Sequence, residues 1–119
     1  MRIISFAWTT PALLAGRKTC TRREWDDKYA QGFHEGDLVA AYDKSPRYGG
    51  KRVATIRLRD NPYQQSTMKV PFSDWEKEGF AYLAEIGAKV NGKTPHEVWD
   101  HWLTHNQMVW VVRFELVRA

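Results

Sequence analysis

The chain has 119 residues, enough for one domain around one core, and its 43% apolar and 27% charged content is ordinary for a soluble globular protein. The formal net charge is +4, and no stretch approaches the roughly 20 apolar residues that a membrane-spanning helix needs. The single cysteine, Cys20, excludes an intrachain disulfide and a cysteine-clustered zinc site, and it suits a reducing, cytoplasmic setting.

The opening Ile3-Ile4-Ser5-Phe6-Ala7-Trp8 loosely mimics a signal peptide. The apolar run stops at Thr9-Thr10-Pro11, however, so it reads as a first core strand. Thr10-Pro11 is a helix start and Gly16 a helix end, bracketing a short helix over 11–15. A basic loop entering a strand follows over 17–23, then a second short helix over 24–31, ended by Gly32. Turn chemistry at 34–37 leads into a strand over 38–42. Residues 45–51 form a basic, glycine-containing loop. The alternation over 52–59 puts Ala54, Ile56 and Leu58 on one face of a strand. Another strand is expected over 67–70. Helices are expected over 74–88 and 95–104, the second announced by Thr94-Pro95 with Glu97. The apolar run over 107–117 is a closing strand of central character. Neither a repeat nor a linker divides the chain, so residues 1–119 read as one α+β domain with a small curled sheet or barrel.

Charge is uneven along this order. Residues 1–69 carry 13 Lys/Arg against 7 Asp/Glu, whereas residues 70–119 carry 5 against 7. A basic first part suits a polyanionic or phosphate-bearing partner, or a generic solvated basic surface.

Gly16-Arg17-Lys18-Thr19-Cys20-Thr21-Arg22-Arg23 resembles the G-x-K-x-x-T-x-R signature of the ASCH domain family, part of the larger PUA-like group. Gly36-Asp37-Leu38-Val39 resembles that family's entry into a barrel strand, and Glu76-Lys77-Glu78-Gly79-Phe80 its acidic E-G-F element. The resemblance implies a PUA-like, curled, mainly antiparallel β-barrel with flanking helices and an association with RNA. One bacterial branch hydrolyses the acyl amide of N4-acetylcytidine with a Lys, a Thr and a Glu, and the resemblance maps these onto Lys18, Thr21 and Glu78. Glu76 and Glu85 are the alternatives for the acid. No cofactor and no metal are implied.

These residue types suit the chemistry. A threonine hydroxyl is a poor nucleophile without a base, and a lysine is a poor base at its usual pKa of about 10.4. Burial or neighbouring cations can lower that value toward neutrality. Lys18 and Thr21 are three apart, so a uniform strand would point them to opposite faces, and convergence requires a turn. Arg22 and Arg23 could hold a phosphate or a substrate carbonyl, or pair at the surface with Glu24, Asp26 or Asp27. In the hydrolytic reading, Arg23 or a backbone N–H steadies the oxyanion. Trp8 is a candidate pocket wall. Arg47, Tyr48, Lys51 and Arg52 combine cations with a stacking aromatic, as single-stranded nucleic acid would require, or form a mobile solvated loop.

His96, His101 and His105 lack the zinc-protease spacing and read as helix-surface residues. Trp99, Trp102 and Trp110 read as core anchors. The sequence thus points to an RNA- or nucleoside-recognising domain, most concretely an N4-acylcytidine amidohydrolase. A non-catalytic single-stranded RNA-binding module is the alternative and a ribonuclease the third reading. The partner is RNA or a modified cytidine nucleoside, with no membrane.

Overall fold

A computed structural model describes residues 1–117. The strands are β1 (Ile3–Ser5), β2 (Cys20–Arg23), β3 (Leu38–Tyr42), β4 (Arg52–Leu58), β5 (Tyr63–Ser66) and β6 (Met108–Val117). The helices are α1 (Thr10–Leu14), α2 (Asp27–Ala30), α3 (Asp74–Lys77), α4 (Phe80–Glu85) and α5 (Pro95–Thr104). Among the described residues, no helix is long and apolar enough to cross a membrane.

The long apolar β6 organises the sheet. It pairs antiparallel with β5 at positions 108–111, with β2 at 110–113 and with β4 at 114–117. Its central character shows in partners along both edges and in the burial of Val109, Val111, Val112 and Phe114. The sheet runs β1-β3-β4-β6-β2, with β5 also on β6. The β1–β3 pair is parallel and the others are antiparallel.

The expected barrel is not formed: the six-stranded sheet is mixed and open. Closure would require the edge strands β1 and β2 to pair, and local structure directs them elsewhere. Strand β1 has only three residues. The Phe6 N–H still reaches the Tyr42 carbonyl, and the chain then turns through a 3-10 segment at Ala7–Thr9 into α1. Just before β2, the Thr19 N–H donates to the Lys77 carbonyl of α3. The segments leading out of β1 and into β2 are thus tied to helices rather than to each other.

Local signals explain most boundaries. In α5, Thr94 and Glu97 form a reciprocal capping box, with Pro95 in the first turn. In α2, Asp26 accepts from the Tyr29 N–H and shortens the expected helix to Asp27–Ala30. At 67–70 the expected strand is a 3-10 turn, while the strand lies earlier, at β5. Ser66 accepts from the Met68 N–H and sets that turn. The expected helix over 74–88 is broken in two at Gly79, which has φ +87°. A Cβ there would lie 2.6 Å from the Ala12 Cβ, so both the backbone conformation and the close packing require glycine.

Apolar side chains gather in two clusters. Ile4, Phe6, Leu13, Val39, Ile56, Val112 and Phe114 fill the space against the sheet. Ala12, Val70, Phe80, Leu83 and Trp99 hold the helices together. Helix α1 contributes to both through Leu13 and Ala12 and so fixes the helical layer to the sheet.

Candidate functional site

The junction of those two layers holds a cavity of about 210 Å³. Its lining includes Trp8, Lys18, Thr21, Arg22, Arg23, Glu78, Phe80 and Trp102. The segments preceding and forming β2 supply the cationic floor. The α3–α4 junction supplies Glu78, and α5 supplies Trp102.

Lys18 and Glu78 are each 2% exposed. The Lys18 Nζ donates to the Glu78 carbonyl oxygen at 2.8 Å and to its Oε1 at 3.1 Å. Gly79 makes this approach possible: the position of its missing Cβ lies 3.2 Å from the Lys18 Cβ. Burial pushes the Lys18 ammonium below its ordinary pKa, and the Glu78 charge offsets part of that effect. Lys18 precedes β2, so the opposite-face rule for a strand does not separate it from Thr21, and both line the same cavity. Thr21 and Arg23 alternate onto one face of β2, where the Arg23 Nε donates to the Thr21 Oγ1 at 3.1 Å.

The acid alternatives separate cleanly. Glu76 and Glu85 both pair with Arg17 at the surface, at 2.6 and 3.0 Å, outside the cavity lining. Glu78 alone of the three reaches Lys18.

Arg22 is neither a surface ion-pair residue nor paired with Glu24, Asp26 or Asp27. Its side chain is 1% exposed, and both of its Nη groups bond inside the protein while Nε is buried without a partner. Nη1 reaches Glu78 Oε2 at 2.7 Å, and Nη2 reaches Asp74 Oδ2 at 2.5 Å and Gln65 Oε1 at 2.9 Å. Asp74 also accepts two bonds from Arg113, at 2.9 and 2.8 Å. Burial would raise the Asp74 carboxyl pKa, but the bonds from Arg113 and Arg22 outweigh it and hold the group below its ordinary value. Asp74, Arg113 and Gln65 thus belong to the site without having been singled out in the sequence. One signal was available: Arg113 interrupts the apolar run of the central strand, and a charge so placed requires a partner.

Charge asymmetry along the chain now has a structural counterpart. Arg17, Lys18 and Arg22 of the basic part pair with Asp74, Glu76, Glu78 and Glu85 of the acidic part. A share of the basic excess is therefore neutralised internally.

Trp8 forms part of the cavity wall, 5.7 Å from the Phe80 ring, as expected. Trp102, read as a core anchor, also lines the cavity, with the Arg22 guanidinium 6.0 Å from its ring. Cys20 is buried beneath, and burial pushes its thiol pKa well up, which makes it inert. His101 of α5 and His105 just past its end stack 3.9 Å apart, and His96 lies against Trp75.

Residues 45–51 lie away from this cavity and are built rather than loose. Ser45 accepts from the Arg47 N–H, the Asp43 N–H donates to the Lys51 carbonyl, and a Cβ on Gly50 would collide with the Lys44 carbonyl. Tyr48 is 72% exposed at its tip. Arg47 and Lys51 are also exposed, while Arg52 donates to Thr55 Oγ1.

No protein-family model matches the chain, and no curated protein matches it. Its fold is similar to the crystal structure of protein EF3133 from Enterococcus faecalis V583, a DUF984-family protein. The TM-score is 0.59 at 16% identity, over 98% of this chain and 76% of that one. At that identity the likeness concerns the fold alone.

Proposed function

We propose that the chain is an ASCH-type amidohydrolase that removes the acyl group from N4-acylated cytidine. The observation that carries this reading is the meeting of Lys18, Thr21 and Glu78 in one aromatic-walled cavity. A flat heteroaromatic base suits walls of Trp8, Phe80 and Trp102, because stacking on such faces is worth about 1–3 kcal/mol per base.

Lys18 is the base. Burial favours its neutral amine, which can take a proton from the attacking group. Lys18 and Thr21 make no direct hydrogen bond, which supports a substrate water held between them as the nucleophile. The Thr21 hydroxyl, accepting from Arg23, is free to donate its proton toward that water and orient it. Attack on the acyl carbon gives a tetrahedral oxyanion beside the newly formed Lys18 ammonium, which stabilises it. Collapse breaks the C–N bond. The proton moves from Lys18 through the Glu78 carboxylate to the departing N4 amine, leaving a carboxylic acid and cytidine. Arg22, clamped on Glu78 and Asp74, fixes the carboxylate that must carry the proton.

The test is release of cytidine from N4-acetylcytidine by the purified protein, followed by ultraviolet absorbance. Turnover that disappears in Lys18→Met and Thr21→Val is expected, and a wild type without turnover overturns the reading. A non-catalytic single-stranded RNA-binding module is the second reading. The exposed Tyr48 beside Arg47 and Lys51 favours it, since cations there could follow a backbone while the ring stacks on a base.

A further inference from the structure

Arg23 is a cation of the cleft without an acidic partner. Lys18 is answered by Glu78, and Arg22 by Glu78 and Asp74. Among the described residues, Arg23 makes no ion pair, and its one hydrogen bond is from Nε to the Thr21 hydroxyl. Both of its Nη groups are left without a partner. The guanidinium is nevertheless held in place, with its Cζ 5.4 Å from the centre of the Phe6 ring.

The surroundings of Arg23 are strongly cationic. Lys18, Arg22, Arg23 and Arg113 cluster around only two carboxylates, Asp74 and Glu78, and both carboxylates are already engaged. Arg23 is half-buried, its Nη groups face the cleft without a carboxylate, and burial disfavours its charged form, so an anion there would be favoured. Its planar fork matches two oxygens of one phosphate.

Position adds a second constraint. Arg23 lines the first cavity and also a neighbouring compartment of about 330 Å³ that shares Arg22 and Trp102 and continues past Glu24 to Thr67 and Gln107. A molecule with its base against Trp102 in the first cavity has room to continue past Arg23 into the second.

We infer that Arg23 receives a phosphate of the bound molecule, so that the cleft takes a nucleotide, free or within an RNA strand, in preference to a bare nucleoside. This rests on the reading that a cytosine base occupies the first cavity. Phosphate monoester and phosphodiester present the same pair of oxygens, and the measurement separates them.

Calorimetric titration of the wild type with cytidine, cytidine 5′-monophosphate and a cytidine dinucleotide tests the inference. One or both phosphorylated ligands should bind about tenfold to a hundredfold tighter than cytidine, the range expected of charge-assisted hydrogen bonds. Tighter binding of the monophosphate marks a monoester site, and tighter binding of the dinucleotide a strand. Arg23→Gln should bring all three affinities within about twofold. Arg23→Lys, which keeps the charge and loses the fork, should retain part of the preference. Equal affinities in the wild type, or no binding of any ligand, overturn the inference without reference to a variant. A preference that survives in folded Arg23→Gln also overturns it. Turnover of N4-acetylcytidine is measured separately on the same protein. Turnover without phosphate preference removes this inference and leaves the proposed reaction standing; phosphate preference without turnover does the reverse.

Discussion

Lys18 and Glu78, 60 residues apart in the chain, meet through two bonds from one ammonium, 2.8 Å to the Glu78 carbonyl and 3.1 Å to its carboxylate. Glu78 therefore positions the base with its backbone and tunes it with its side chain. Its second carboxylate oxygen is held by Arg22.

That dual role makes Glu78→Gln a stability variant as well as a catalytic one. Leaving two buried cations short of a partner should cost about 3–5 kcal/mol, the range for breaking a buried pair from one side. Urea unfolding measures this. Glu76→Gln, at the surface pair with Arg17, should cost less than about 1 kcal/mol. Equal effects of the two would show that the Lys18–Glu78–Arg22 arrangement does not form.

The base role of Lys18 predicts a pH profile. Because burial lowers the pKa of its ammonium, kcat/KM for N4-acetylcytidine should rise with pH through an inflection below the ordinary lysine value of about 10.4. Lys18→Arg should reduce turnover by at least about 10²-fold, because arginine stays protonated. Substantial activity in Lys18→Arg would exclude proton abstraction by this residue.

Asp74 governs acid stability. Its folded-state pKa lies below the unfolded value of about 3.9, because Arg113 and Arg22 favour the carboxylate despite burial. The stabilisation it contributes is present above the unfolded value and is lost as pH falls through the lower folded value. Unfolding free energy should therefore decline below about pH 4. In Asp74→Asn, that part of the decline should be missing and the protein less stable near neutrality. An unchanged acid limb in a folded Asp74→Asn would refute the assignment.

Gly79→Ala isolates a packing requirement. Gly36 has nearly the same backbone, φ +88°, with open space where a Cβ would go, whereas at Gly79 the Cβ meets Ala12. Left-handed strain of about 1–2 kcal/mol applies to both, and overpacking of about 1–3 kcal/mol is added only at Gly79. Unfolding curves should show Gly79→Ala to be clearly the worse of the two. Equal losses would show that Ala12 gives way.

The basic turn supplies a separate prediction for the binding module. If single-stranded RNA runs over Tyr48, log affinity should fall against log salt by about 0.7 per phosphate contacted. Replacing Arg47, Lys51 and Arg52 with Gln should flatten that slope and leave turnover of N4-acetylcytidine unchanged. A slope that stays steep in the triple variant would place the RNA elsewhere.

Several features were legible in the chain because their causes are local. The α5 boundaries follow from Thr94, Pro95 and Glu97, which act within one turn. The strand over Leu38–Tyr42 and the long closing strand follow from composition and alternation. Lys18, Thr21 and Glu78 were singled out by motif resemblance, and the fold brings them to one cavity. The break at Gly79 was within reach, since a glycine inside a helical pattern signals either an end or a close contact.

Tertiary structure decided the rest. Whether the sheet closed depended on the segments flanking β1 and β2, and no residue within those strands reports that the Thr19 N–H meets the Lys77 carbonyl. Arg22 has the same side chain whether it meets water, a phosphate or Asp74, and only the chain path placed Asp74 and Glu78 against it. Capping, turns and alternation are settled by neighbours a few residues away and can be read from sequence order. The partners of a buried charge, and the charge left without one at Arg23, are settled by contacts between distant segments, which exist only once the layers have packed.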